Sequence, residues 1–288
     1  MSIAEDLQQK IDRAIIRLKN FEPEEGYYLA FSGGKDSQCI YHLAKRGGVK
    51  FDAHYSVTSV DPPEVVQFIK RQYPDVIFNY PRDKDGNRIT MWNLIQRNST
   101  PPTRLVRYCC RALKENGGVG RVVVTGVRWA ESVRRAANQD LLQIRGKPRS
   151  SQKLADAMGL EYQITKFNSI VLNDDNDVSR RFVEQCYRTC KVMVNPIIDW
   201  TDDDVWTYLN DVEDVRHCEL YDRGWKRIGC IACPQAAVEK RKKQLDEYPT
   251  YKRAYLRAFE SMLAKHKENG KECTWETPEE VMDWWLSK

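Results

Sequence analysis

Apolar residues recur three or four apart at the start of the chain, at Ile3, Leu7, Ile11, Ile15 and Leu18. That period marks one helix face and predicts a first helix ending near Asn20. The rhythm breaks at Glu22-Pro23-Glu24-Glu25-Gly26, a turn. A continuous aromatic and apolar run predicts a buried strand at 27–31, and a helix is expected at 36–46, closed by Gly47-Gly48. Strands are expected at 51–60 and 76–80, helices at 63–72 and 91–97, and a loop at 98–103. The stretch 121–127 is β-branched through its middle and predicts a central strand. Short strands are expected at 141–144, 161–165 and 192–194, while the Asp/Asn-rich stretch 168–178 reads as an exposed loop. Beyond Pro196 the pattern turns helical. Thr201-Asp202-Asp203-Asp204 opens one helix as a capping box, and Thr277-Pro278-Glu279-Glu280 opens the last.

Strands alternating with helices predict an α/β fold with a doubly wound, mainly parallel sheet. The expected division is a helix at 1–20, an α/β domain at 21–200 and a helical part at 201–288. No apolar run reaches the roughly 20 residues that span a bilayer. The amphipathic start lacks the apolar core of a secretory signal, so the expectation is a cytoplasmic protein without a membrane partner. The net charge of +5 admits an anionic ligand without requiring one. Nine cysteines, an odd number, argue against a disulfide scaffold and towards metal binding or redox chemistry.

The chemistry concentrates at Ser32-Gly33-Gly34-Lys35-Asp36-Ser37, between a predicted strand and a predicted helix. Two glycines let the backbone turn its N–H groups towards an anion, and the helix N-terminus adds partial positive charge. Lys35 brings a full charge, and Ser32 and Ser37 bring hydroxyl donors. Asp36 suits such a place as a helix cap or a cation ligand. The spacing is not that of the GxxxxGK[ST] loop.

This loop resembles the signature of the PP-loop ATP pyrophosphatases and their relatives, the adenylyl-sulfate and phosphoadenylyl-sulfate (PAPS) reductases. Three further stretches are similar: Thr58-Ser59-Val60-Asp61, Gly126-Val127-Arg128 with Glu131-Ser132 and Arg134-Arg135, and 195–206. The resemblance runs over about residues 20–235. It implies a five-stranded parallel sheet of the adenine nucleotide alpha-hydrolase-like kind and an adenine nucleotide as ligand. It also implies that Ser32, Gly33, Gly34, Lys35, Asp36 and Ser37 bind that ligand, with Asp61, Arg128 and Arg135. The other reading of Arg128 and Arg135 is salt bridges with Glu131.

Cys230-Ile231-Ala232-Cys233 has the spacing of half a metal site, and Cys109-Cys110 would complete four thiolates. Arg107-Tyr108-Cys109-Cys110 with Lys114 is similar to the CC-x-x-x-K element of adenylyl-sulfate reductases. In those enzymes the two cysteine pairs hold one 4Fe–4S cluster, so the resemblance implies Cys109, Cys110, Cys230 and Cys233 as its ligands, with zinc as the alternative. Cys39 reads as core; Cys186, Cys190 and Cys218 carry no assigned role, the Cys186/Cys190 spacing being compatible with one helical face but with nothing else to mark a second centre. The reductases' C-terminal E-C-G-[IL]-H motif survives here only as Glu272-Cys273.

Three functions follow. In the first, an ATP-dependent adenylating and sulfur-transfer enzyme, Lys35 and the loop hold the β- and γ-phosphates, and Mg²⁺ is assisted by Asp36 or Asp61. Its substrate is a small molecule or a nucleic acid, tRNA or DNA, and a sulfur-donor protein is a partner. The basic segments 240–243 and 252–253 suit such a polymer or form a solvated helix face. In the second, a thiol-dependent sulfonucleotide reductase, adenylyl sulfate is the nucleotide, Cys273 the nucleophile and a thioredoxin-like protein the reductant. The third is a nucleotide-sensing subunit, against which the intact loop argues. Oligomerisation is compatible with all three.

Overall fold

The computed structural model describes residues 3–270 and 272–288; Met1, Ser2 and Lys271, the neighbour of the Glu272-Cys273 pair, lie outside them. Eight strands form one sheet: β1 (Tyr27–Ala30), β2 (Phe51–Ser56), β3 (Ile77–Asn79), β4 (Val122–Val124), β5 (Leu142–Arg145), β6 (Gln163–Ile164), β7 (Ile170–Leu172) and β8 (Lys191–Val194). Their order is β3-β2-β1-β4-β8-β5-β7-β6. The strands β2, β1, β4 and β8 pair in parallel, and β5, β7 and β6 continue the sheet antiparallel. The mainly parallel centre expected from the alternation is present, lengthened on one side by three strands. β4 lies between β1 and β8 with all three valines buried, as its β-branched run predicts.

The helices are α1 (Ile3–Asn20), α2 (Lys35–Gly47), α3 (Pro63–Gln72), α4 (Met91–Asn98), α5 (Tyr108–Leu113) and α6 (Val133–Ala136), then α7 (Pro148–Ala157), α8 (Asp177–Cys186), α9 (Asp202–Thr207), α10 (Val238–Glu247), α11 (Pro249–Glu268) and α12 (Pro278–Ser287). The stretch 168–178 is not an exposed loop. Ile170, Val171 and Leu172 are buried as β7, and Asn176 caps α8 by accepting from Val178 N and Ser179 N. Three apolar residues suffice for an inner strand, and the polar residues around them masked the signal. The strand expected over 51–60 ends at Ser56, because Ser59 takes a left-handed φ of 66° and the chain turns.

Two compact units result. The first takes the chain up to Tyr55, then Phe68–Ile77 and Gly117–Arg223; the second takes Ser56–Gln67, Phe78–Asn116 and Gly224–Lys288. Neither unit coincides with one of the segments 1–20, 21–200 and 201–288. α1 is tied into the first unit through buried Arg17, which donates to Pro196 O and Asp199 Oδ1, both at 2.9 Å. α9 joins the same unit through the ion pair of Asp204 with Lys10, 2.9 Å.

The second unit packs around aromatic rings. Tyr255 lies 5.1 Å from Trp92 and 4.7 Å from Trp285 between ring centroids. Arg241, expected on a solvated face, is buried. Its guanidinium lies 4.5 Å from the Trp285 ring and donates to Trp285 O at 2.9 Å, so the charge is kept by a cation–π contact and a carbonyl.

Candidate functional site

In the first unit, β1 runs out through Ser32-Gly33-Gly34 into α2. Gly33 has φ +72°, a left-handed turn that favours glycine, and Gly34 is the N-cap without a side-chain cap bond. The serines brace the turn: Ser32 N donates to Ser37 Oγ at 3.1 Å, and Ser37 Oγ donates to Gly34 O at 2.8 Å. Lys35 N donates to the Tyr221 hydroxyl at 2.9 Å. Tyr221 in turn packs edge-on against Trp206, with centroids 4.9 Å apart. Gly126, just beyond β4, passes so close that a Cβ there would lie 2.6 Å from Asp36 O. Glycine is therefore required where the β4 exit meets the first turn of α2.

Four charges interlock at this turn. Lys35 Nζ lies 2.6 Å from Asp202 Oδ1 and 3.2 Å from Asp36 Oδ1. Buried Arg128 donates through Nε to Asp36 Oδ1 at 2.7 Å, through Nη2 to Asp202 Oδ1 at 2.6 Å and through Nη1 to Trp200 O at 3.1 Å. The Asp202 carboxyl is held below its usual range, first by its hydrogen bond with Lys35 and, against burial, by Arg128. Burial works against the Arg128 charge, but Asp36 and Asp202 outweigh it and hold the guanidinium above its ordinary value. Two cations and two carboxylates thus share one helix N-terminus.

Arg135 instead pairs with Glu131 at 2.6 Å, the alternative that the sequence left open. Asp61 lies in the second unit, where its carboxylate accepts from Thr58 N at 2.7 Å and closes the turn after β2. Cys39 is buried in α2, as expected for core. Cys186 ends α8, while Cys190 lies beyond it and donates to Gly146 O, so the two do not share a helical face.

The second unit holds the two cysteine pairs. Cys109 and Cys110 sit on α5, whose Tyr108 hydroxyl donates to Thr100 O at 2.7 Å. The Cys230–Cys233 turn is fixed at three points: Ile231 N donates to Val60 O at 2.8 Å, Ala232 N to Gln244 Oε1 at 2.9 Å, and the Tyr255 hydroxyl to Ile231 O at 3.2 Å. Ala232 has a left-handed φ of 55°, which turns the second cysteine back towards the first. Thr58 Oγ1 lies 3.5 Å from Cys230 Sγ.

The four sulfurs share one electrostatic environment. The Cys109 thiol is held up, first by its hydrogen bond with Cys110, then by burial and the charges of Cys110, Cys230 and Cys233. Cys110 is held down by that same hydrogen bond and, against burial, by Arg107. Lys114 is pushed above the usual lysine value, first by the charge of Cys230 and then by Asp61. Among the described residues, no three His, Cys, Asp or Glu side chains converge on one point as ligands of a single ion. A 4Fe–4S cluster spreads its thiolates over several irons and keeps a net negative charge. Four neighbouring thiols with the cations Lys114 and Arg107 beside them fit that group. Cys273 is half-buried in the segment leading to α12.

Comparison with known proteins matches the model of the phosphoadenosine phosphosulfate reductase domain to residues 26–236. The chain is 40% identical over 65 residues to an adenosine 5'-phosphosulfate reductase of Oceanobacillus iheyensis, covering 22% of this chain and 27% of that one. It is 46% identical over 46 residues to an uncharacterized protein of Methanocaldococcus jannaschii, covering 16% and 11%. The matches to these curated relatives therefore span about a quarter of their length or less. The phosphate complex of a PAPS reductase from Candida auris aligns over 80% of this chain and 96% of that one, at 13% identity and a TM-score of 0.43. With the family model covering most of its length, the chain belongs to the phosphoadenosine phosphosulfate reductase domain family.

Two further residues join this site, Asp202 and Tyr221. Asp202 falls within the predicted capping box, but the box uses only Thr201 and Asp204, which leaves its carboxylate for Lys35 and Arg128. Tyr221 lies 186 positions from Lys35 and carries no local signal.

Proposed function

We propose that the first unit binds ATP with Mg²⁺ and that the chain is an ATP-dependent adenylating enzyme for sulfur transfer. The carrying observation is the pair of carboxylates, Asp36 and Asp202, set against Lys35 and Arg128 at the start of α2. A sulfate group arriving without a dication would meet two negative charges there. A polyphosphate accompanied by Mg²⁺ turns the same carboxylates into partners. Lys35 and the loop N–H groups then hold the β- and γ-phosphates, with Arg128 fixing the two carboxylates beside them and the α-phosphorus left open to attack. A substrate oxygen bonds to that phosphorus and pyrophosphate leaves. A sulfur nucleophile next takes the atom that bore the oxygen, and AMP departs with the oxygen.

Cys109, Cys110, Cys230 and Cys233 would hold the cluster, which when bound supplies an iron site for sulfur or electrons. The test is exchange of labelled pyrophosphate into ATP. Exchange is expected to require Mg²⁺ and Lys35, and Asp202→Asn is expected to raise the Mg²⁺ needed by roughly 10- to 100-fold. Exchange that is absent with and without added nucleic acid, or indifferent to Lys35→Ala, contradicts the reading.

A second reading is sulfonucleotide reduction, which the similarity over 65 residues to the adenosine 5'-phosphosulfate reductase of Oceanobacillus iheyensis supports. Cys273 would attack the sulfate sulfur of adenylyl sulfate, releasing AMP, and a second thiol would release sulfite. On that reading sulfite forms from adenylyl sulfate and thiol, and Cys273→Ser stops it. On the ATP-dependent reading no sulfite forms, and Cys273→Ser leaves exchange unchanged.

A further inference from the structure

Positive charge is unevenly spread. Residues 126–167 carry eight Lys and Arg against four Asp and Glu, so four of the chain's five net positive charges arise there. Six of those cations, Arg134, Arg145, Lys147, Arg149, Lys153 and Lys166, are exposed. The segment 240–243 offers no comparable face, since Arg241 is buried and Lys240 lies over the Trp225 ring.

Within the stretch 126–167 the structure places an aromatic ring in solvent. Phe167, in the turn between β6 and β7, is 58% exposed, and Val133 on α6 and Ile164 on β6 are 88% and 52% exposed. The Arg134 guanidinium lies 5.1 Å from the Phe167 centroid and Lys166 Nζ lies 5.4 Å from it. α6 and the β6–β7 turn, distant in sequence, thus bring two cations to one open ring. Such exposed cation–π contacts are weak, so a flat ligand displaces a cation from the ring at small cost. The freed cation then meets whatever anion that ligand carries.

A ligand with regularly spaced anions and exposed flat apolar faces matches this arrangement. Single-stranded nucleic acid has both features, whereas a duplex hides its base faces and an acidic peptide has none. We propose that Phe167, with Arg134 and Lys166, is a docking platform for a single strand of nucleic acid. The inference deepens the adenylation reading by naming its polymer class. It is tested without ATP, so that its failure leaves the exchange result untouched.

The experiment is fluorescence anisotropy with labelled thymidine and uridine oligonucleotides of about 12 residues, comparing the wild-type chain with Phe167→Ala, which changes no charge. The variant is expected to bind roughly 5- to 100-fold more weakly, the range for loss of one stacked base. Arg134→Gln should lower the slope of log K against log salt by about 0.7, one phosphate contact to a single strand. Preference for the deoxy or the ribo strand supports the proposal and identifies the polymer. Equal binding by Phe167→Ala and wild type overturns it. So does a hairpin duplex or a polyglutamate of equal charge binding as tightly as the single strand. Phe167 is exposed, so a melting curve matching wild type shows that any loss lies in binding and not in folding.

Discussion

Arg128→Met is expected to lower ATP–pyrophosphate exchange by about a hundredfold to a thousandfold, the cost of losing a preorganised positive charge beside the phosphate site. Its guanidinium is 1% exposed and spends its donors on Asp36, Asp202 and Trp200 O. Methionine fills similar space but leaves the two carboxylates facing each other with Lys35 alone between them. The phosphates would then meet net negative charge at the start of α2. Arg128→Lys is not expected to rescue exchange, since a single ammonium cannot serve two carboxylates and a carbonyl in the plane of a guanidinium. Stability should fall as well. Breaking a buried ion pair costs about 3–5 kcal/mol, but the Asp202 side chain is 65% exposed, so water screens part of the loss. Initial exchange rates and a melting curve measure both effects. Exchange within tenfold of wild type would show that Arg128 only supports the fold.

The second large effect concerns the cysteines. Anaerobically purified protein is expected to carry about four irons with matching sulfide per chain, and Cys230→Ser to lose most of them. Burial, with Asp61 and Cys233, holds the Cys230 thiol up against the Lys114 charge, so it is metal binding that would draw off its proton, and a serine hydroxyl cannot replace the sulfur as a ligand. Cys273→Ser serves as the control and should keep its iron. Because metal binding is coupled to folding, the Cys230 variant should also melt lower than the control. A colourless wild type containing only zinc, or a Cys230→Ser protein with full iron, would refute the cluster.

Where local signals existed, the sequence could be read. The 3–4 spacing of Ile11, Ile15 and Leu18 foretold α1, and the valine run of 122–124 foretold β4. Ser32 to Ser37 stood out because two glycines, a lysine and an aspartate follow a strand. What stayed hidden depends on partners far along the chain. Asp202 reaches Arg128 across 74 positions and Lys35 across 167, and neither link leaves a periodicity. Arg241 looked like one of four consecutive surface cations, and only the Trp285 ring, 44 positions on, explains its burial. Three apolar residues among Asp and Asn were too few to announce β7. The order of Arg134 and Phe167 in the chain likewise gave no hint that their side chains meet.

The interleaving of the two units has a consequence in time. During synthesis the second unit receives residues early, at Ser56–Gln67 and Phe78–Asn116, and is finished only by Gly224–Lys288. Cys110 leaves the ribosome 120 positions before Cys230, which at 5–20 residues per second is a wait of roughly 6–24 s. Through that interval Cys109 and Cys110 have no CxxC turn to meet, while Gly117–Arg223, the larger part of the first unit, is being made. A site that needs all four thiols can therefore form only after Cys233 has been made, and a chain cut short at Arg223 would keep Cys109 and Cys110 without the second pair.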